Sequence, residues 1–306
     1  MFEVLPLGTS SAVAAYGRKL AGQIVMHNDR YFLIDCGEGT QFSFQKYRIR
    51  TRRLDAIFIS HLHADHFMGL PGLLSTLSLT GHHTQIEIFG PPGIFNILTT
   101  LFQVSQTQMN FPVTVFEFTT NQLTTVFENQ SLEVLAFPLE HRITCHGFLF
   151  REKPKRKKFL HHQAMADGIP KEYFHLLKMG TDVELLSGEK YDASRYLGTA
   201  DPPYSYAYCS DTAYSPLLKE FLFGTDYLYH EATFTEDFLQ RAKETCHSTA
   251  RQAAQIAQLC QVKKLLLGHF SARYESTDLH LSEAQSVFEN TEIAVEGKRY
   301  IISNEP

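Results

Sequence analysis

The chain has 306 residues, 43% of them hydrophobic, and a formal net charge of −5 at pH 7. That length and apolar content suffice to bury the large core of a single enzyme domain, and the mild acidity confines any cationic surface to local patches. No apolar run is long enough to span a membrane, and five widely spaced cysteines without a Cys-x-x-Cys pair argue against a disulfide scaffold or a thiolate zinc site.

The opening residues Met1-Phe2-Glu3-Val4-Leu5-Pro6-Leu7 read as a strand and not as a secretory leader, which points to the cytoplasm. Further strands are expected at 23–27, 31–35, 56–59 and 86–89, with helices at 40–47, 67–79 and 92–104, the last with Pro92 in its first turn. The second half offers strands ending near Phe118, Phe127, Phe137, Phe150, Cys209, His230 and Gly268, and helices at 215–223 and 248–259. Two mixed sheets between helices accommodate this order, so the fold class is α/β.

The strand at 56–59 runs into His61-Leu62-His63-Ala64-Asp65-His66, four metal-ligand side chains in six residues. Burying that set without a cation would be costly. Imidazole and carboxylate suit zinc and its first-row neighbours. Ligands at i and i+2 of a tight loop can converge on one ion while Asp65 and His66 turn towards another, so the run suggests two metals close together.

This spacing is similar to the His-x-His-x-Asp-His signature of the metallo-β-lactamase superfamily of dinuclear hydrolases. The resemblance implies an αββα sandwich of two mixed sheets, and the Gly8-Thr9 and Asp35-Cys36-Gly37-Glu38 turns match its early motifs. It also implies a third histidine, a bridging aspartate and a last histidine at strand ends, and His141, Asp211 and His269 follow in that order. His146 competes with His141, which is preferred because Gly147-Phe148 reads as the start of the next strand. On this resemblance His61, His63 and His141 hold one Zn2+, Asp65, His66 and His269 hold a second, and Asp211 bridges them.

Three later motifs, His230-Glu231-Ala232-Thr233, His247-Ser248-Thr249 and Gly268-His269-Phe270-Ser271-Ala272-Arg273-Tyr274, resemble those of the ribonuclease Z family. Members are zinc endoribonucleases that remove the 3′ trailer of precursor tRNA, leaving a tRNA 3′-hydroxyl and a 5′-phosphorylated trailer. The resemblance covers essentially the whole chain as one domain, with an insertion at about 151–204 that looks like the family's flexible arm, a tRNA-binding exosite. It implies that Asp65 orients the attacking water and accepts its proton. His247 is the candidate general acid for the leaving oxygen, with Glu231 holding its other ring nitrogen. Ser271 and Arg273 are candidate contacts to the scissile phosphate or its neighbour, with a carboxylate as the alternative partner of Arg273. The family is typically a homodimer in which one subunit's arm serves the other's site.

The arm opens with Arg151-Glu152-Lys153-Pro154-Lys155-Arg156-Lys157-Lys158, six cations in an acidic protein, and Lys155, Arg156, Lys157 and Lys158 are the expected phosphate contacts. Two departures from the family stand out. The stretch around Lys171-Glu172-Tyr173-Phe174 lacks a preceding Gly-Pro pair, and residues 14–19 keep only Arg18 of a loop tied to rejection of CCA-ended tRNA. The rival readings are a small-molecule hydrolase of the same fold and a catalytically silent RNA-binding member.

Overall fold

The computed structural model describes residues 1–303 and divides the chain into two compact units. The larger comprises 1–128, 132–151 and the chain from Tyr204 on. Its first sheet contains β1 (Phe2–Gly8), β2 (Gly22–His27), β3 (Arg30–Ile34), β4 (Leu54–Phe58), β5 (Ile86–Gly90) and β6 (Val113–Glu117) in that order, with the short strand Tyr300–Ile301 outside β1. Pairing is antiparallel from β1 to β3 and parallel from β3 to β6. The second sheet contains β7 (Thr124–Glu128), β8 (Leu132–Pro138), β9 (His146–Glu152), β10 (Ser205–Cys209), β11 (Tyr227–Glu231), β12 (Lys264–Gly268) and β13 (Thr291–Ile293), again in order. There β10 to β13 run parallel, and β9 joins β10 antiparallel.

Strands buried on both faces read as continuous apolar runs, and the packing shows why. In β4, Ile57 joins the core that the first sheet shares with α1 (Thr40–Lys46), α2 (Leu70–Leu79) and α3 (Ile94–Val104). Its neighbours Ala56 and Phe58 face the other sheet. The layer between the sheets is aromatic: Phe58 lies 5.3 Å and 5.5 Å, centroid to centroid, from Phe148 and Phe150. Such pairs contribute about 0.5–1.5 kcal/mol each beyond the area they bury. On the far side α6 (Ala250–Leu259) lays Ala253, Ala254 and Ala257 against Leu265 and Leu267, and small side chains there let helix and sheet approach closely. With α4 (Leu218–Leu222), α5 (Leu239–Thr245) and α7 (Asp278–Gln285), the layers run helix, sheet, sheet, helix.

The sequence expectations differ from this fold at several places, and α5 and α7 were not among the expected helices. The helix expected at 67–79 is a single turn, Ala64–Phe67, followed by α2, because the Gly69 N–H donates to Cys36 O, 2.9 Å away, and not within its own turn. The helix expected at 215–223 contracts to α4, and the strands at 291–293 and 300–301 were too short to leave a periodic signal. Gly69 matters for packing: a Cβ there would sit 2.0 Å from Gly37 O. Gly69→Ala should therefore destabilise the protein by about 1–3 kcal/mol or more, as overpacking does. Thermal unfolding with parallel metal analysis checks this, since the displaced loop carries Asp65 and His66; an unchanged Tm would count against the close approach.

The second unit comprises 129–131 and 152–203. It has a small core of Ala164, Ile169, Phe174, Leu177, Val183, Ala193 and Tyr196, two short helices (His161–Ala166 and Phe174–Lys178) and a hairpin of Val183–Glu184 with Lys190–Tyr191.

Candidate metal centre

The carboxyl ends of parallel strands deliver the polar residues. Asp35 follows β3, His61 follows β4, Asp211 follows β10, Glu231 ends β11 and His269 follows β12, while His141 lies in the β8–β9 connection. This edge is where α/β sheets leave backbone and side chains free to converge on a ligand. Asp35 and His269 adopt left-handed backbone conformations (φ 54° and 61°), strain that the surrounding fold must hold.

Two sets of donor atoms converge, His61, His63, His141 and Asp211, and Asp65, His66 and His269, and a third group, Asp211, His247 and His269, overlaps them. In the first, His63 Nδ1 lies 3.1 Å from both His61 Nε2 and His141 Nε2. In the second, His66 Nε2 lies 3.1 Å from His269 Nε2. A tetrahedron with metal–nitrogen bonds of about 2.05 Å has edges of about 3.3 Å, so these spacings suit ligands sharing one ion. Asp211 faces both sets. Its Oδ1 lies 3.1 Å from His269 Nε2 and 3.3 Å from His66 Nε2, and its Oδ2 lies 3.5 Å from His61 Nε2. Asp211 Oδ1 is also buried without a hydrogen-bond partner, which a cation would remedy.

The rings are oriented from behind, so that a nitrogen of each is left for the centre. His66 Nδ1 meets Asp35 Oδ2 at 2.7 Å, and Asp35 also accepts from Ser60 N, Ser60 Oγ and Tyr208 OH. His141 Nδ1 lies 3.0 Å from Cys246 O, His269 Nδ1 3.0 Å from Thr233 Oγ1, and His61 Nδ1 3.0 Å from Ser60 Oγ. Asp65 Oδ2 accepts the backbone N–H of Ala12 at 2.8 Å, from a residue itself held at φ 58°. Asp35, Ser60, Thr233 and Ala12 were given no role from sequence. A carboxylate ending the apolar β3 was a signal for Asp35; nothing local marked Ala12, whose backbone makes the contact.

Electrostatics fit a cation too. Burial pushes His61, His63 and His141 down, the last to about 4, which keeps them as neutral donors. Burial disfavours charge on His66 as well, yet Asp211, Asp35 and Asp65 raise it well above the ordinary imidazole value. The carboxylates thus gather positive charge as a proton, the place a metal ion would take. Burial opposes ionisation of Asp65 and Asp211, but the surrounding histidines hold both far below the carboxylate range.

His247 immediately precedes Ser248 and the capping box of α6, in which Thr249 and Gln252 exchange side-chain and backbone hydrogen bonds. That cap fixes the chain at His247. Its Nδ1 lies 2.8 Å from Glu231 Oε1, while its Nε2 lies 4.0 Å from Asp211 Oδ2. Burial disfavours its charge, but Glu231 outweighs burial and holds the imidazole up to about 9. Ser271 and Arg273 line a cavity of about 470 Å³ together with His247, Arg142 and Arg241. Arg273 lies over the Phe238 ring at 5.5 Å. His146 stands apart from both donor sets: its Nε2 accepts from Thr120 N at 3.2 Å.

In the second unit, Lys155 pairs with Glu152 and Lys158 with Asp201, whereas Arg156 and Lys157 join Lys178 around a cavity of about 340 Å³.

A family model described as "Anti-Pycsar protein Apyc1" matches residues 2–161, which include His61 to His66 and His141 but end before Asp211, His247 and His269. Relatives match the rest as well. "Ribonuclease Z" of Bacteroides fragilis is 43% identical over 295 residues, 96% of this chain and 97% of that protein. "Ribonuclease Z" of Parabacteroides distasonis is 41% identical over 97% and 98% of the two chains. Among solved structures, the short form of human tRNase Z superposes with a TM-score of 0.71 at 27% identity, covering 98% of this chain and 99% of that one. The metallo-β-lactamase fold protein YhfI of Bacillus subtilis gives 0.69 at 19% identity over 98% and 100%, a likeness of fold. With one relationship reaching half the chain and the other nearly all of it, the chain belongs to the ribonuclease Z family of metallo-β-lactamase-fold proteins.

Proposed function

We propose that this protein is an endoribonuclease that cleaves precursor tRNA on its 3′ side, leaving a tRNA 3′-hydroxyl and a 5′-phosphorylated trailer, with two zinc ions per subunit. The observation that carries the reading is Asp211, whose two oxygens face two separate nitrogen-rich donor sets. His61, His63 and His141 would hold one ion and Asp65, His66 and His269 the other. Such ions would acidify water and neutralise phosphoryl charge.

The chain's own side chains supply the rest. Asp65 accepts the proton of the attacking water, steadied by the Ala12 N–H on its Oδ2. His247 gives a proton from Nε2 to the leaving ribose oxygen, while Glu231 fixes the ring through Nδ1. Arg273 and Ser271, in the cavity beside His247, contact the phosphate or its neighbour.

The second unit is the tRNA-binding arm in this reading. Arg156, Lys157 and Lys178 are its strongest phosphate contacts, since Lys155 and Lys158 already have carboxylate partners. Phe42, Met68, Phe95, Leu101 and Val104 are apolar side chains left exposed on α1, before α2 and on α3, which supports a homodimer; light scattering on the purified protein checks its mass. Among the described residues no helix is long and apolar enough to cross a membrane, and the five cysteines are unpaired, which supports a cytoplasmic setting.

Cleavage of a precursor tRNA lacking an encoded CCA, with the product end mapped and metal content measured, tests the proposal. Replacing Arg156, Lys157 and Lys178 by alanine should raise KM for that precursor. The salt dependence of binding should flatten by about 0.7–0.9 log units per lost phosphate contact. Hydrolysis of a small aryl phosphodiester should persist at the parent rate. Unchanged precursor binding and salt slope would make these cations a solvated face.

A further inference from the structure

We propose that Glu296 is a positioning residue for Asp65, acting through the loop that carries Ala12: its carboxylate pins the two roots of that loop and so sets where the Ala12 N–H meets Asp65. The inference rests on the hydrolytic reading above, in which Asp65 takes the proton of the attacking water.

The loop runs from residue 9 to residue 20, between β1 and β2. Ala12, Val13, Ala14, Tyr16 and Gly17 are exposed, so burial of apolar surface does not hold its tip. The tip is nonetheless shaped. Ala12 keeps φ at 58°, a conformation that a residue with a side chain holds only where its surroundings impose it, and there its N–H donates to Asp65 Oδ2 at 2.8 Å. What imposes it must lie at the roots.

The roots are stitched by hydrogen bonds. Ser10 N donates to Lys19 O at 2.8 Å and closes the neck, while Ser11 N donates to Phe270 O at 3.0 Å and Phe270 N to Thr9 O at 2.8 Å, beside His269. The neck is narrow: a Cβ on Gly8 would sit 1.7 Å from Leu20 O. The N–H groups of Thr9 and Lys19, one on each side of it, share a single acceptor. Glu296 Oε1 accepts from Lys19 N at 2.7 Å, from Thr9 N at 3.2 Å and from Thr9 Oγ1 at 3.3 Å.

Glu296 is held in turn by the connector that leads from β13, in the second sheet, to the strand Tyr300–Ile301 in the first. Ala294 N donates to Leu267 O at 2.8 Å before it, and Gly297 N to Pro6 O at 2.9 Å after it. The nearby cations are engaged elsewhere, Lys19 Nζ with Ser43 Oγ and the Arg18 guanidinium with the carbonyls of Tyr274 and Glu275. Burial raises the Glu296 carboxyl above its ordinary range, so charge there is a cost. What Glu296 supplies is an accepting oxygen in a fixed place, and its three donors are neutral groups that a neutral carbonyl could serve as well.

The test compares Glu296→Ala with Glu296→Gln in the metal-loaded protein. Glu296→Ala should lower kcat about tenfold on precursor tRNA and on an aryl phosphodiester alike, counted per metal-loaded site, since both need the same attack by water; misplacing a reacting group by about 1 Å costs up to about 10²-fold. KM for the aryl ester should not move. Glu296→Gln keeps the accepting oxygen and should recover kcat to within about threefold of the parent. Amide hydrogen exchange of the 9–20 segment, read by mass spectrometry, should quicken at least about tenfold in the alanine variant and stay near the parent rate in the glutamine variant. If Glu296→Ala does not fold, Glu296→Asp, whose shorter side chain withdraws the oxygen, carries the same comparison. An unchanged kcat would overturn the assignment, as would a glutamine variant no better than alanine or exchange of the segment at the parent rate. A loss confined to the precursor would overturn it too, since Ser11, Ala12 and Val13 also line the His247 cavity and the loop would then serve binding instead of Asp65. A parent that hydrolyses neither substrate overturns the hydrolytic reading, and the exchange rates then still decide whether Glu296 holds the loop.

Discussion

Asp211→Ala is expected to lower turnover by more than about 10³-fold, the upper end of what loss of one preorganised electrostatic group costs, and to strip metal from the purified protein. The effect should exceed that of any other single carboxylate change here because Asp211 faces both donor sets, with Oδ1 towards His66 and His269 and Oδ2 towards His61. Alanine would leave the two proposed cations facing each other without the charge that compensates them. It also leaves the four surrounding imidazoles with Asp35, Ser60, Thr233 and Cys246 O behind them and, for His66 and His269, Asp65 Oδ2 at 3.5 Å. Metal analysis by plasma emission and turnover on an aryl phosphodiester provide the readouts. Near-normal turnover with two metals bound would remove Asp211 from the bridging position.

How much of this was legible in the sequence depended on distance along the chain. The sheets were readable because strands buried on both faces are runs such as Ala56-Ile57-Phe58, bounded by polar turns. The His61–His66 cluster was visible directly after its strand, the resemblance to the superfamily pointed to His141, Asp211 and His269 at later strand ends, and the structure gathers the donor atoms of these seven. The choice of His141 over His146 rested on a strand start at Gly147, and the structure begins β9 at His146 itself, which ties that ring to Thr120. What could not be read was made by backbone groups or by residues with no fixed spacing to their partners. Ala12 reaches Asp65 across 53 positions through its N–H, and the Gly69 break in the expected helix comes from a hydrogen bond to Cys36. In the basic run the four expected phosphate contacts looked alike, and tertiary partners separate Lys155 and Lys158 from Arg156 and Lys157.

The second large effect is expected at His247, and its dependence on the leaving group identifies the role. His247→Ala should lower kcat on precursor tRNA by at least about 10²-fold, the usual contribution of a positioned general acid, because a ribose 3′-oxygen leaves poorly without a proton. Metal content should be retained, since each of the two main donor sets is complete without this ring, which joins only the overlapping group with Asp211 and His269. An aryl phosphodiester, whose phenolate leaves unprotonated, should lose much less. Glu231 offers a graded control: its Oε1 holds His247 Nδ1 at 2.8 Å while it also accepts from Thr212 N and Thr233 N. Glu231→Gln keeps a hydrogen-bonding side chain but removes the charge that favours imidazolium, so its losses should follow the same split between substrates at smaller size. A merely structural role for His247 would depress both substrates together. Equal losses on precursor and aryl ester, with metals retained, would therefore remove the proton from His247 and leave the leaving oxygen to be stabilised by the centre alone.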